Sequence, residues 1–187
     1  MADLQLTPSQ TVGPYYSIGL TWDDGAWVVP EGTPGAVRIR GRVLDGEGEL
    51  VPDAIVESWQ ADPEGRYNHP DDPRGAEAAD FRGFARAPTI PDGWFEIHTV
   101  KPGPVPGPDG TTQAPHLEVS VVARGLLNRV VTRIYVADEG ELNAADPVLQ
   151  SVPEERRSTL LAEPVREDGY RFDVHLQGEG ETVFFAI

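Results

Sequence analysis

Cysteine is absent from the 187 residues. Its absence removes disulfides, thiolate metal sites and thiol nucleophiles together. Basic residues are scarce: 15 Lys and Arg stand against 31 Asp and Glu, for a formal net charge of −16. So acidic a chain repels phosphate backbones, and nucleic acid is not an expected partner. No apolar run approaches the ~18 residues that a membrane span needs, so none is expected. Met1 to Gln10 lacks a basic cluster followed by an apolar stretch, so no secretory signal is read there and the expected compartment is the cytoplasm. A Ser-nucleophile elbow, a phosphate-binding Gly loop and a His-Glu-x-x-His helix are missing too.

Glycine and proline are abundant. The 20 Gly and 18 Pro make about a fifth of the chain, against a usual share of roughly 12%. Hydrophobic content of 39%, with four Trp and six Phe, is enough for a real core and argues against disorder. The length fits a single domain, 1–187, which would bury roughly 70% of its unfolded surface. Within it, residues 1–20 read as an irregular N-terminal segment. Pro14, Tyr15, Tyr16 and Ile18 make that segment apolar enough to dock on something.

The dominant periodicity is two. Val37, Ile39, Gly41 and Val43 alternate with Arg38, Arg40 and Arg42, the pattern of a half-buried strand with a basic outer face. Asp45-Gly46 ends it in a tight turn. Further strands are expected at Ala54–Gln60, Trp94–Val100, His116–Ala123, Val130–Val136, Tyr170–Leu176 and Glu181–Ala186, rich in Val, Ile and aromatics. Gly, Pro and Asp clusters separate them. Short strands punctuated by turns predict an all-β sandwich with long loops. The loops are Asn68–Asp80 and Pro102–Pro115, the latter with a Pro-Asp-Gly turn. One short helix is expected near Val152–Ala162, where Ser151 and Glu154 have capping-box spacing.

Chemistry-bearing residues are few. His98 and His175 fall within strand patterns and His69 within a Pro/Asp loop, where a hydrogen-bonded or solvated histidine is the simple reading. His116 and Glu118 stand two apart on a strand, so both side chains leave one face. They could be two ligands of a metal, with Tyr67 from a loop as a third, or they could pair with each other. The abundant carboxylates otherwise read as a solvated surface. Residue chemistry alone assembles no catalytic constellation.

Several segments, in order across nearly the whole chain, resemble the intradiol ring-cleavage dioxygenases. They are Thr7–Tyr15 (TPSQTVGPY), Gly41–Gly46 (GRVLDG), Val56–Ala61 (VESWQA), Gly65–Tyr67, His98–Gly103 (HTVKPG), Ala114–His116, and the closing Arg171–Asp173 and Gln177–Phe185. The resemblance implies a β-sandwich and a ferric ion held by two Tyr and two His. Tyr67 matches the first Tyr and His116 the first His. Val105 stands in place of the second Tyr, and Glu118 in place of the second His. Valine has no donor atom, so the resemblance leaves no ferric bis-tyrosinate site in this chain.

That pattern of loss resembles the iron-free alpha subunit of a two-subunit branch of the family. The implied assembly is a large αβ hetero-oligomer in which a homologous beta subunit binds the Fe(III). The implied reaction is cleavage of 3,4-dihydroxybenzoate by O2, between its two hydroxyl carbons, to 3-carboxy-cis,cis-muconate. This chain would then have no metal site and no catalytic residue of its own. Thr11, Gly13, Pro14 and Arg124 would line the partner's substrate pocket, Arg124 placing positive charge near the substrate carboxylate. The N-terminal segment 1–20 would complete that pocket. Two other readings remain open at this point. One is a self-sufficient metalloenzyme using Tyr67, His116 and Glu118; the other is a non-catalytic sandwich acting as scaffold or binding module.

Overall fold

Along Val37 to Val43 the apolar side chains leave one face of the backbone and the arginines the other. The result is a nine-residue strand, β1 (Ala36–Leu44), with Ile39 and Val43 buried and Arg38 and Arg40 exposed. The computed structural model describes residues 6–74, 80–107, 110–166 and 169–186. Beyond β1 these contain β2 (Ile55–Gln60), β3 (Phe84–Pro88), β4 (Trp94–Val100), β7 (His116–Val122), β8 (Val130–Val136) and β9 (Leu161–Val165). Shorter pieces are β5 (Val105–Pro106), β6 (Thr112–Gln113), β10 (Gly169–Arg171) and β11 (Val174–His175).

Two layers form the sandwich. In one, β1 pairs antiparallel with β4 and parallel with β10 and β11. In the other, β3, β2, β7 and β8 run antiparallel in that spatial order. Strand β9 joins them: Leu161 and Ala162 pair with β8, and Glu163 to Val165 pair with β10. Between the layers, Ile39, Val43, Phe95 and Ile97 meet Val56, Leu117, Val119, Val121 and Ile134, all buried. Burial of this apolar area is the main force holding the layers together.

The expected strands at 94–100 and 130–136 coincide with β4 and β8, and those that became β1, β2 and β7 differ by single end residues. The expected strand Tyr170–Leu176 is broken into β10 and β11. Between them Phe172 N–H donates to Arg40, and a side chain at Gly41 would lie 1.6 Å from the Phe172 carbonyl oxygen, so the chain crosses there at backbone contact. Glu181–Ala186 is not a strand. It is held by separate bonds, Thr182 N–H to His175 and Phe185 N–H to Val131. Strands β3 and β9, which the periodicity did not mark, complete the sheet.

The helix expected near Val152–Ala162 is a 3-10 helix at Glu154–Leu160, after which Leu161 and Ala162 enter β9. Ser151 does not cap it; its hydroxyl donates to Val148 O instead. The effective cap lies earlier. Asp146 accepts from Val148 N–H and Leu149 N–H at the start of α3 (Pro147–Ser151), which follows α2 (Gly140–Ala145). A single turn, α1 (Tyr16–Gly19), interrupts the N-terminal segment. The expected loop Pro102–Pro115 contains the β5–β6 hairpin, and Pro108 and Asp109 of its turn lie outside the described residues, as do 75–79 of the loop Asn68–Asp80. Among the described residues no helix is long and apolar enough to cross a membrane.

Candidate functional site

Two places in the fold gather the residues singled out above. The first is the turn that joins β7 to β8. Arg124 and Gly125 form that turn, and Gly125 N–H donates to the Thr11 hydroxyl at 2.9 Å. A residue 114 positions away in sequence is thereby fixed against the Arg124 backbone. Arg124 Nε lies 3.0 Å from Asp53 Oδ2, with the guanidinium side chain 61% exposed and the carboxylate 18% exposed. Asp53 thus orients a cation whose outer edge faces solvent. Gly13 adopts φ +75 with open space where a side chain would be, so its requirement is conformational and not steric. Pro14 then leads into α1.

Tyr16, the first residue of α1, is buried behind this turn. Its hydroxyl faces the Arg124 backbone, yet no described residue completes a hydrogen bond to it. Burial and the Asp53 carboxylate push the phenol up to about 12, so it stays protonated. Thr11, Asp53, Arg124 and Tyr16, from three separate segments, therefore form one cationic, donor-bearing corner. Tyr15 just before α1, Ile18 on it and Leu127 after the turn are exposed.

The second place is the set of positions matching the family's iron ligands. A turn anchored by the buried Asp62 and Gly65 carries Tyr67 there. Asp62 accepts from Glu64 N–H, Arg66 N–H and Arg66 Nε, the last at 2.8 Å. Gly65 sits at φ +76, where any side chain would meet Pro104 O at 2.1 Å. The turn is thus pressed onto the strand that holds Val105. Tyr67 stacks on Trp59 with ring centroids 6.1 Å apart. In front of them opens a cavity of about 910 Å³ that His69, Arg74 and Pro106 also line.

His116 is buried and its Nδ1 donates to Ala114 O at 2.7 Å, which leaves Nε2 turned toward Glu118. Nε2 lies 3.5 Å from Glu118 Oε1. Glu118, however, is committed elsewhere. It stands opposite Arg133 in the β7–β8 register, and Arg133 Nη2 approaches Glu118 Oε1 at 2.5 Å. Arg133 Nη1 also donates to Gln113 Oε1 at 2.7 Å and to the Tyr135 hydroxyl at 3.2 Å. Burial alone would raise the Glu118 carboxyl, but His116 and the Arg133 guanidinium hold it below the usual carboxylate range. Burial, and then the Glu118 charge, raise the Tyr67 phenol, against the opposing pull of Arg133 and Arg74.

A ferric ion does not fit this set: Val105 has no donor and is buried, and a permanent cation already pairs with Glu118. Asp53 and Arg133 were not singled out from sequence, and Tyr16, expected only as part of an apolar docking segment, is instead buried within this chain. Asp53 follows a Pro in what reads as an ordinary turn. Arg133 could have been found by pairing the two strands about the turn at Arg124–Gly125.

The sequence profile of the family described as dioxygenase matches residues 11–178. The protocatechuate 3,4-dioxygenase alpha chain of Burkholderia cepacia is 41% identical over 203 residues, covering 100% of each chain. The protocatechuate 3,4-dioxygenase beta chain of the same organism is 35% identical over 166 residues, covering 82% of this chain and 70% of that one. Among solved structures, catechol 1,2-dioxygenase from Acinetobacter sp. ADP1 superposes with a TM-score of 0.61 at 21% identity, over 83% of this chain and 58% of that longer one. The chain belongs to the intradiol ring-cleavage dioxygenase family. Within it, the full-length similarity is to an alpha chain, and a beta chain is a more distant homologue.

Proposed function

We propose that this chain is the iron-free subunit of a two-chain intradiol dioxygenase that cleaves 3,4-dihydroxybenzoate with O2 to 3-carboxy-cis,cis-muconate. The observation that carries the reading is the pairing of two opposite features in one fold. The ligand positions of this chain cannot hold iron, while Thr11, Gly13, Pro14 and Arg124 are gathered into one exposed corner. An iron-poor chain with a preserved wall segment suits a partner that lacks that wall. The partner is a homologous beta chain, and it would hold the Fe(III) that makes the bound catechol reactive toward O2.

In this reading the chain works by binding and orientation. Arg124 offers a charge-assisted donor to the substrate carboxylate, at the end of the ring opposite the reacting hydroxyl carbons. Asp53 keeps the guanidinium from swinging away. The Thr11–Gly125 bond sets the N-terminal segment 1–20 as the adjoining wall. The whole of 1–187 acts as one domain, in the cytoplasm, within an αβ hetero-oligomer.

The test is co-expression. The chain purified alone is expected to be colourless and iron-free. Co-expressed with a cognate beta chain, it should yield a coloured complex that consumes O2 with 3,4-dihydroxybenzoate. Stoichiometric iron and ring cleavage by the chain alone would overturn the reading, and so would full activity of the beta chain by itself.

A further inference from the structure

The cation beside Glu118 has a consequence for where metal goes. Glu118 and His116 leave the same face of β7, two residues apart, with His116 Nε2 3.5 Å from Glu118 Oε1. His116 has its Nδ1–H on a carbonyl, the arrangement that fixes ring orientation in metal-binding histidines and points Nε2 at Glu118. An imidazole and a carboxylate therefore stand side by side, a pair that would attract a divalent cation if nothing else stood there. What stands there is the Arg133 guanidinium. It is anchored by three acceptors, Glu118, Gln113 and the Tyr135 hydroxyl. Tyr135 is itself locked, donating to Asp146 Oδ1 at 3.0 Å. The side chain of Arg133 is only 15% exposed, so it cannot swing out to make room.

We infer that Arg133 is a metal-excluding cation, an internal positive charge that holds the place of a metal beside Glu118 and His116. It satisfies the carboxylate that would otherwise recruit an ion. It also repels any cation that approaches, since guanidinium does not deprotonate at any pH a folded protein meets. The inference stands on this chain's own geometry. Its consequence for the assembly, that iron loads only at the partner's site, rests on the two-chain reading above.

The experiment is a Co(II) titration of the full chain, followed by the visible d–d bands of the bound ion and by circular dichroism to confirm folding. Arg133→Gln keeps a donor for Gln113 or Tyr135 but removes the charge; Arg133→Met keeps the volume of the side-chain stem. Each folded variant is expected to bind one equivalent of Co(II) at least about tenfold tighter than the unsubstituted chain. Adding Glu118→Gln should abolish the gain. Arg133→Lys keeps a positive charge and should remain as metal-poor as the unsubstituted chain, which separates charge exclusion from a merely structural role. The inference is overturned if the unsubstituted chain binds Co(II) as tightly as the folded variants, if those variants gain nothing, or if the Lys variant binds like the Gln variant. Catalysis does not enter the measurement. Failure of the two-chain reading would show instead as an inactive complex with the beta chain.

Discussion

Arg124 is the residue on which the proposed role turns, and its surroundings say how it can be tested. An ion pair this exposed contributes about 0–1 kcal/mol to stability, so Arg124→Ala should leave the fold and the partner's iron content unchanged. In the assembled enzyme the same change removes a charge-assisted hydrogen bond to substrate, about 2 kcal/mol, and kcat/KM should fall about 30-fold. Asp53→Asn should act in the same direction but more weakly, because the guanidinium remains and only its orientation is loosened. Steady-state kinetics of the two complexes, with iron measured on each, check both. If Arg124→Ala leaves kcat/KM unchanged in an intact complex, the substrate-wall role is wrong.

At the scale of elements, carboxylates with several donors do the joining. Asp146 is fully buried, caps α3, and accepts besides from Ala114 N–H at 2.8 Å and the Tyr135 hydroxyl. Asp146→Ala would leave those donors unpaired and should cost about 3 kcal/mol, read as a lower denaturant midpoint. Asp173 joins β1 to the crossing between β10 and β11, accepting from Arg42 and Arg171, each at 2.7 Å. Burial would raise its carboxyl, yet the two guanidinium groups hold it below the usual range. The stability it contributes is therefore complete above pH ~4, the ordinary Asp value, and is lost as pH falls through the depressed folded value. Urea midpoints measured from pH 6 to pH 2.5 should fall less steeply for Asp173→Asn than for the unsubstituted chain.

The same contacts explain what periodicity could and could not reveal. Strands with one buried face, such as β1 and β4, announce themselves by alternation, whereas β8, buried on both faces, shows itself by its run of Val, Ile and Tyr. Gly41 could not announce that Phe172 crosses it at backbone contact, so the break between β10 and β11 was invisible. Ser151 and Glu154 had the spacing of a cap, but Asp146 held a stronger one five residues earlier, tied to Ala114 and Tyr135 from elsewhere in the fold. At the site, Thr11 and Arg124 were legible only through the family likeness. Asp53 and Tyr16 needed the tertiary structure, because nothing local links them to the turn after β7.

For the whole molecule, the arrangement of apolar surface argues for a partner. A chain of net charge −16 has ample means to keep its surface polar. In the two segments that the Thr11–Gly125 bond joins, it nevertheless exposes Tyr15 at 79%, Ile18 at 75% and Leu127 at 60%. Large side chains left bare beside a fixed cation fit the core of an interface better than a solvated face. A homologous beta chain with its pocket open toward this corner would cover them and receive Arg124 in one docking event. Tyr15→Ser and Ile18→Ser together should then leave the isolated chain's thermal midpoint unchanged, because neither side chain packs in the core. Affinity for the beta chain should fall at least about tenfold, since buried aromatic anchors carry most interface energy. Sedimentation or native mass spectrometry across a dilution series measures it. Undiminished association of that double variant would move the interface to another face and separate Arg124 from the partner's pocket.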